Sequence, residues 1–185
     1  MPTAANFIAT AKRNPINTEL LQRLATLQLP QCLLTAGCLF QAVWNQQAGL
    51  PPAWGVKDYD IFYFDADTSW AAENAVIETV QALCGELGVT LEVKNQARVH
   101  LWYGQRFGRD YPALRSANDG VDRYLVAGTC VAIEVASGEV YAPFGLGDIY
   151  NGVLRSNPIN HQPDLFLAKA RSYQQRWPLL QIIEG

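Results

Sequence analysis

Two aspartates one residue apart, Asp58 and Asp60, stand immediately before the run Ile61-Phe62-Tyr63-Phe64. That run is rich in strand-favouring residues, so the pair is expected at the start of a strand. Alternate residues of a strand share a face, which points both carboxylates one way while Tyr59 and Ile61 enter the opposite layer. At a separation of about 6 Å and an effective dielectric near 20, their repulsion is roughly 3 kcal/mol, a cost that a divalent cation reverses. Oxygen-only ligation at this spacing suits Mg²⁺ or Mn²⁺ better than zinc. The competing reading is a pair of solvated turn residues, one accepting a backbone N–H and the other paired with Lys57.

The segment upstream favours the ligand reading. Cys32-Leu33-Leu34-Thr35-Ala36 is a short apolar run ending at Gly37, after which Phe40, Val43, Trp44 and Gln47 follow helical spacing up to Gly49-Leu50-Pro51-Pro52. A glycine at a helix start lets phosphate oxygens reach backbone N–H groups, where the helix dipole also favours negative charge.

The elements that position these residues can be read around them. Leu20, Leu21, Leu24 and Leu27 predict a helix over 18–29, capped by Thr18 and stopped by Pro30. Val76, Val80, Leu83, Cys84 and Leu87 form one face of a helix over 70–87 that Gly88 closes. Residues 89–93 and 98–103 read as two strands around Asn95-Gln96, and 104–122 as a long surface loop. Residues 130–135 and 139–141 predict a hairpin, Gly147 leads into a helix capped by Asp148, and 164–177 is a terminal helix. No repeat or linker divides the chain, which is expected to be one domain over 1–185, with an N-terminal helical segment of about 1–30 and the terminal helix within about 163–177.

Composition narrows the class. An apolar share of 49% in 185 residues supports a folded α/β core, and a formal charge of −3 gives no net field to gather a polyanion, so nucleic acid is not an expected partner. Cys32, Cys38, Cys84 and Cys130 form no CxxC pair and read as core residues of a protein in a reducing compartment. The absence of a long apolar run argues against a membrane partner and for a cytoplasmic protein.

The Gly37-Cys38 turn, the helix carrying Trp44, and Lys57-Asp58-Tyr59-Asp60 with its apolar strand together resemble the nucleotide-binding half of the DNA polymerase β-like nucleotidyltransferase superfamily. The spacing from glycine to D-x-D is closest to its small-molecule branch, the aminoglycoside and lincosamide nucleotidyltransferases. The stretches Lys94 to Tyr103 and Tyr141 to Asp148 resemble a compact bacterial family of nucleotidyltransferase-like proteins of unassigned substrate. The resemblance implies an α/β (α+β) fold with a mixed β-sheet backed by helices. It implies Mg²⁺ or Mn²⁺ on Asp58 and Asp60, a nucleoside triphosphate as donor, and an acceptor hydroxyl on an unknown small molecule. Gly37, Cys38, Lys57 and Arg98 become the candidate nucleotide contacts. A binding module that keeps the fold without turnover is the alternative.

The third carboxylate stays open. Glu92, alternating with Leu91 and Val93, is one candidate as catalytic and metal-binding residue; His100, at the matching position of the 98–103 strand, is the other, and Glu134 is next. Gly37-Cys38 stands where the superfamily usually has Gly-Ser or Gly-Gly, so a hydroxyl contact to phosphate is missing and backbone contacts remain. Around the 104–122 loop, Arg106, Arg109, Arg115 and Arg123 can meet phosphate or remain solvated. Trp54, Trp102 and Tyr103 are candidates for stacking on a base, whereas Trp44 is expected in the core.

Overall fold

The structure is a computed structural model that describes residues 2–183. Two helices open the chain, α1 (Ala4–Ala11) and α2 (Pro15–Ala25). The second begins earlier than its leucines suggest. The cap is Asn14, not Thr18: its Oδ1 accepts the Ile16 N–H at 3.1 Å, and Pro15 follows at the first helical position.

A five-stranded sheet is built from β1 (Leu33–Thr35), β2 (Tyr59–Tyr63), β3 (Leu91–Asn95), β4 (Ala132–Glu134) and β5 (Val140–Tyr141) in the order β3-β2-β1-β4-β5. Only β2 and β3 run parallel. A parallel pair needs a crossover, which is α4 (Trp70–Cys84). Helix α3 (Gly37–Gln47) links β1 to the segment before β2.

The two faces of the sheet differ in what covers them. Leu34, Tyr59, Ile61, Tyr63, Val93 and Ile133 join the main core, shared with Phe7, Leu20, Leu24, Trp44 and Val80 from the helices. On the other face Leu33, Phe62 and Ala132 meet a smaller cluster with Ala117, Val121 and Cys130. As its apolar helix face predicts, Trp44 is a core residue; its Nε1–H donates to Ile149 O at 3.1 Å.

Residues 98–103 correct the sequence expectation: they are helical. Asn95 ends β3 as a fully buried side chain whose Oδ1 accepts from Asp65 N and Ala97 N, each at 3.0 Å, while its Nδ2 donates to Asp65 O at 2.9 Å. The chain then makes one 3₁₀ turn and enters α5 (Val99–Phe107). Local β-propensity loses to this turn, and Leu101 is left 52% exposed where a half-buried strand would have packed it. The 104–122 stretch therefore contains the end of α5 and a short helix, α6 (Ala117–Val121).

The expected hairpin is present as β4 and β5. Helix α7 (Gly147–Tyr150) has no side-chain cap, and Asp148 lies inside its first turn, where it accepts Arg155 Nε–H at 3.1 Å. Helix α8 (Pro163–Arg176) is flanked by β6 (Val153–Arg155) and β7 (Gln181–Ile183), a separate two-stranded parallel sheet. No helix among the described residues is long and apolar enough to cross a membrane.

Candidate functional site

Antiparallel pairing of β1 with β2 sets Thr35 opposite Asp60, and parallel pairing of β2 with β3 sets Asp60 beside Glu92. Thr35, Asp60 and Glu92 thus form one row across three strands, on the face away from the main core. Asp58 precedes β2 by one residue and shares that face by alternation; both aspartates are half-buried.

Beside this row α3 begins without a side-chain cap. The chain enters it through Ala36 at φ 64°, ψ −141°, a strained conformation for a residue bearing a Cβ, and such strain concentrates at functional sites. A Cβ on Gly37 would meet Gln41 Nε2 at 2.5 Å, so glycine is what lets buried Gln41 fold back over the helix start. Gln41 Oε1 has no partner among the described residues.

A cavity of about 550 Å³ opens over Gly37, Asp58, Asp60 and Glu92, a size that suits a small-molecule ligand. Its lining carries six cationic side chains, Lys57, Lys94, Arg106, Arg123, Lys169 and Arg176, against those three carboxylates, although the chain as a whole is acidic. The charge that the composition conceals is concentrated in the cavity, where low-dielectric walls focus it.

Neither Asp58 nor Asp60 accepts a side-chain hydrogen bond or forms an ion pair within 4 Å among the described residues, so the pairing of an aspartate with Lys57 is not formed. Burial first, then the charge of Asp58, pushes the Asp60 carboxyl up to about 7, against the opposing pull of Lys94. Among the described residues no three His, Cys, Asp or Glu side chains converge as a complete metal cage. Two unpartnered carboxylates are nonetheless the donor set of a hard cation that fills its other positions with water and ligand phosphate oxygens, so these residues fit Mg²⁺ or Mn²⁺.

The other sequence candidates separate. Glu92 lines the cavity, paired with Lys94 on the same strand. His100 lies on α5 and does not line it; its buried Nδ1 has no partner among the described residues. Cys38 is fully buried, and its thiol, held well above the usual range by burial, donates to Thr35 O at 3.3 Å. Arg98 is drawn out of the site by an ion pair with Glu73 and a 3.2 Å bond to Thr68 O. Glu134 is also elsewhere, accepting from the Ser137 hydroxyl at 2.6 Å.

Sequence reasoning missed the contribution of α8. Lys169, Ser172, Tyr173 and Arg176 recur at i, i+3, i+4 and i+7 and face the cavity. That stripe of charged and aromatic residues was visible in the sequence as a second helical face, without anything to say where it docks. Lys169 is exposed as a residue, yet desolvation of its ammonium and the nearby Arg176 lower its pKa, partly offset by Asp58 and Asp60.

A family model described as "Nucleotidyltransferase" matches residues 22–182. No curated protein matches the chain in sequence. Among solved structures, one described as an NMR structure revealing a CCA-adding enzyme head domain superposes with a TM-score of 0.78 at 21% identity, covering 99% of this chain and 97% of that one. The Thermotoga maritima CCA-adding enzyme complexed with tRNA gives a TM-score of 0.59 at 15% identity, covering 100% of this chain but 43% of the enzyme. At these identities the likeness is one of fold: a mixed sheet backed by helices.

Proposed function

Since the chain belongs to the nucleotidyltransferase family, we propose that it transfers a nucleoside monophosphate from a nucleoside triphosphate to an acceptor hydroxyl, with pyrophosphate leaving, in a reaction that depends on Mg²⁺ or Mn²⁺. The observation that carries this reading is the pair Asp58 and Asp60, half-buried, without partners among the described residues, and beside the uncapped start of α3.

Asp58 and Asp60 would hold the cation, and Glu92, in register with Asp60, is the third carboxylate. When bound, the cation supplies charge neutralisation at the reacting phosphates and activation of the acceptor hydroxyl. The chain supplies position and field. Gly37 admits phosphate oxygens to the N–H groups at the start of α3. Lys57, Lys169 and Arg176 offset the negative charge that gathers as pyrophosphate departs. Cys38 contributes through its backbone alone, because its thiol is buried and uncharged.

A small-molecule acceptor is what the resemblance to the aminoglycoside and lincosamide nucleotidyltransferases implies. An RNA acceptor is favoured by a specific observation, the fold shared with an enzyme complexed with tRNA, together with the cationic lining of the cavity. The testing experiment is calorimetric titration of each nucleoside triphosphate with Mg²⁺ or Mn²⁺ and then with EDTA, followed by a radiolabel transfer assay offering aminoglycosides, nucleosides and tRNA. Metal-dependent binding supports the site, and the labelled product names the acceptor. Binding that EDTA leaves unchanged would remove the metal from the reading.

A further inference from the structure

We propose that the aromatic wall of α5, Trp102 and Tyr103 with Phe107 and Tyr111 beside them, is the subsite for the nucleobase of the donor, and that it holds the base by stacking. This rests on the reading that the donor is a nucleoside triphosphate whose phosphates lie at the other end of the cavity.

The first argument is elimination. A donor of this class must place a flat ring, and four of the eight aromatic residues of the cavity have no face to offer. Phe40, Phe62 and Tyr173 are at most 7% exposed, and Phe40 and Tyr173 pack edge to face at 5.6 Å inside the core. Tyr124 packs against Phe62, with its hydroxyl 3.2 Å from Thr35 Oγ1.

The α5 group differs. Of that helix only Val99 is buried, and Phe107 is 51% exposed. Its rings form a continuous surface, with Tyr103 centred 4.7 Å from Phe107 and 4.4 Å from Tyr111. Aromatic surface left open against a cavity, where the core does not need it, marks a place for a ligand.

Two further features favour stacking over a hydrogen-bonded reading of the base. Guanidinium groups lie over the outer rings, Arg106 at 5.3 Å from Phe107 and Arg123 at 4.9 Å from Tyr111. Such cation–π layers extend readily to a nucleobase. The nearby amides are already engaged: Gln162 pairs with Arg109 and donates to Asn160 Oδ1 at 2.5 Å, while Asn160 donates to Arg123 O at 2.6 Å. Stacking accepts every base, so the four nucleotides should bind within about tenfold of one another.

The test is calorimetry on the full chain with Mg²⁺, titrating the four nucleoside triphosphates, the four nucleosides, and inorganic tripolyphosphate, which has no ring. The wild type should bind nucleotides about tenfold or more tighter than tripolyphosphate. Trp102→Ala should remove most of that advantage and leave tripolyphosphate binding unchanged; Trp102→Phe should restore it. Phe107→Ala, at an exposed position that the fold does not need, should weaken nucleotides in the same selective way. Equal binding of nucleotides and tripolyphosphate by the wild type overturns the proposal, as does equal weakening of both by Trp102→Ala. So does a Trp102→Ala protein that binds donors normally and fails only with the acceptor, since the wall then belongs to the acceptor. Nucleoside binding that needs Trp102, with no tripolyphosphate binding, would keep the wall and remove the phosphate site; binding of neither would remove both.

Discussion

Opposite ends of the β2–β3 pair carry acidic groups in opposite states. At the C-terminal end, Glu73 is 8% exposed and fully engaged: one oxygen accepts Asn95 N–H at 2.9 Å and the other meets Arg98, which also bonds Thr68 O. At the N-terminal end, Asp58 and Asp60 stand half-buried with no side-chain hydrogen bond or ion pair among the described residues. A carboxylate whose lone pairs are all engaged by the chain holds structure; one that the fold desolvates and leaves unpaired is available to a ligand. The same residue type serves both ends, and partners alone separate the roles.

The sharpest way to break this contrast is to change both ends and read two properties. Asp58→Asn and Asp60→Asn should each lower transfer about a thousandfold or more, since several kcal/mol of charge stabilisation are lost, with the fold retained on circular dichroism. Arg98→Ala should do the reverse. Leaving Glu73 buried and unpaired should cost about 3–5 kcal/mol, roughly 6–20 °C in Tm, while the metal dependence of nucleotide binding in the folded fraction stays as in the wild type.

Smaller effects sharpen the boundary of the site. Glu92→Gln should weaken metal affinity about 10–100-fold by altering the neighbour of Asp60, whereas His100→Ala, outside the cavity, should leave it unchanged. Gly37→Ala should weaken tripolyphosphate binding about fivefold, an effect of ~1 kcal/mol, because the new methyl displaces the flexible end of Gln41 from its place over the helix start and itself crowds the N–H groups there.

The smallest effect is on metal-free stability. Asp60 has its folded pKa raised to about 7, above the usual carboxylate value, so its share of stability is complete at low pH and is lost as pH rises through 7. Asp60→Asn should therefore raise the metal-free Tm at pH 8 by about 2–4 °C and have little effect at pH 4. Mg²⁺ should stabilise the wild type at pH 8 and not the variant. A variant that melts lower at pH 8 would mean that Asp60 is engaged by the fold after all.

The placement of Asp58, Asp60 and Gly37 was legible because its signals are local. A D-x-D pair before an apolar run and a glycine at a helix start are short-range patterns, and strand alternation places the two carboxylates on one face without reference to the rest of the chain. Alternation also put Glu92 on a face, but only pairing set it beside Asp60. The stretch 98–103 was misread because its β-favouring residues say nothing of the Asn95 turn that precedes them, whose hydrogen bonds return to Asp65.

By itself, then, the sequence determined the strand that presents Asp58 and Asp60, the helix start at Gly37, the long crossover helix and the core role of Trp44, all set by periodicity within a dozen or so residues. Tertiary structure alone decided which charges share the cavity. It brought Lys169 and Arg176 from α8, set the aromatic residues of α5 along the cavity, and drew Arg98 away to Glu73. The physical reason is that a side chain's role follows from its partners, and those partners lie on segments whose docking is fixed by the burial of other residues.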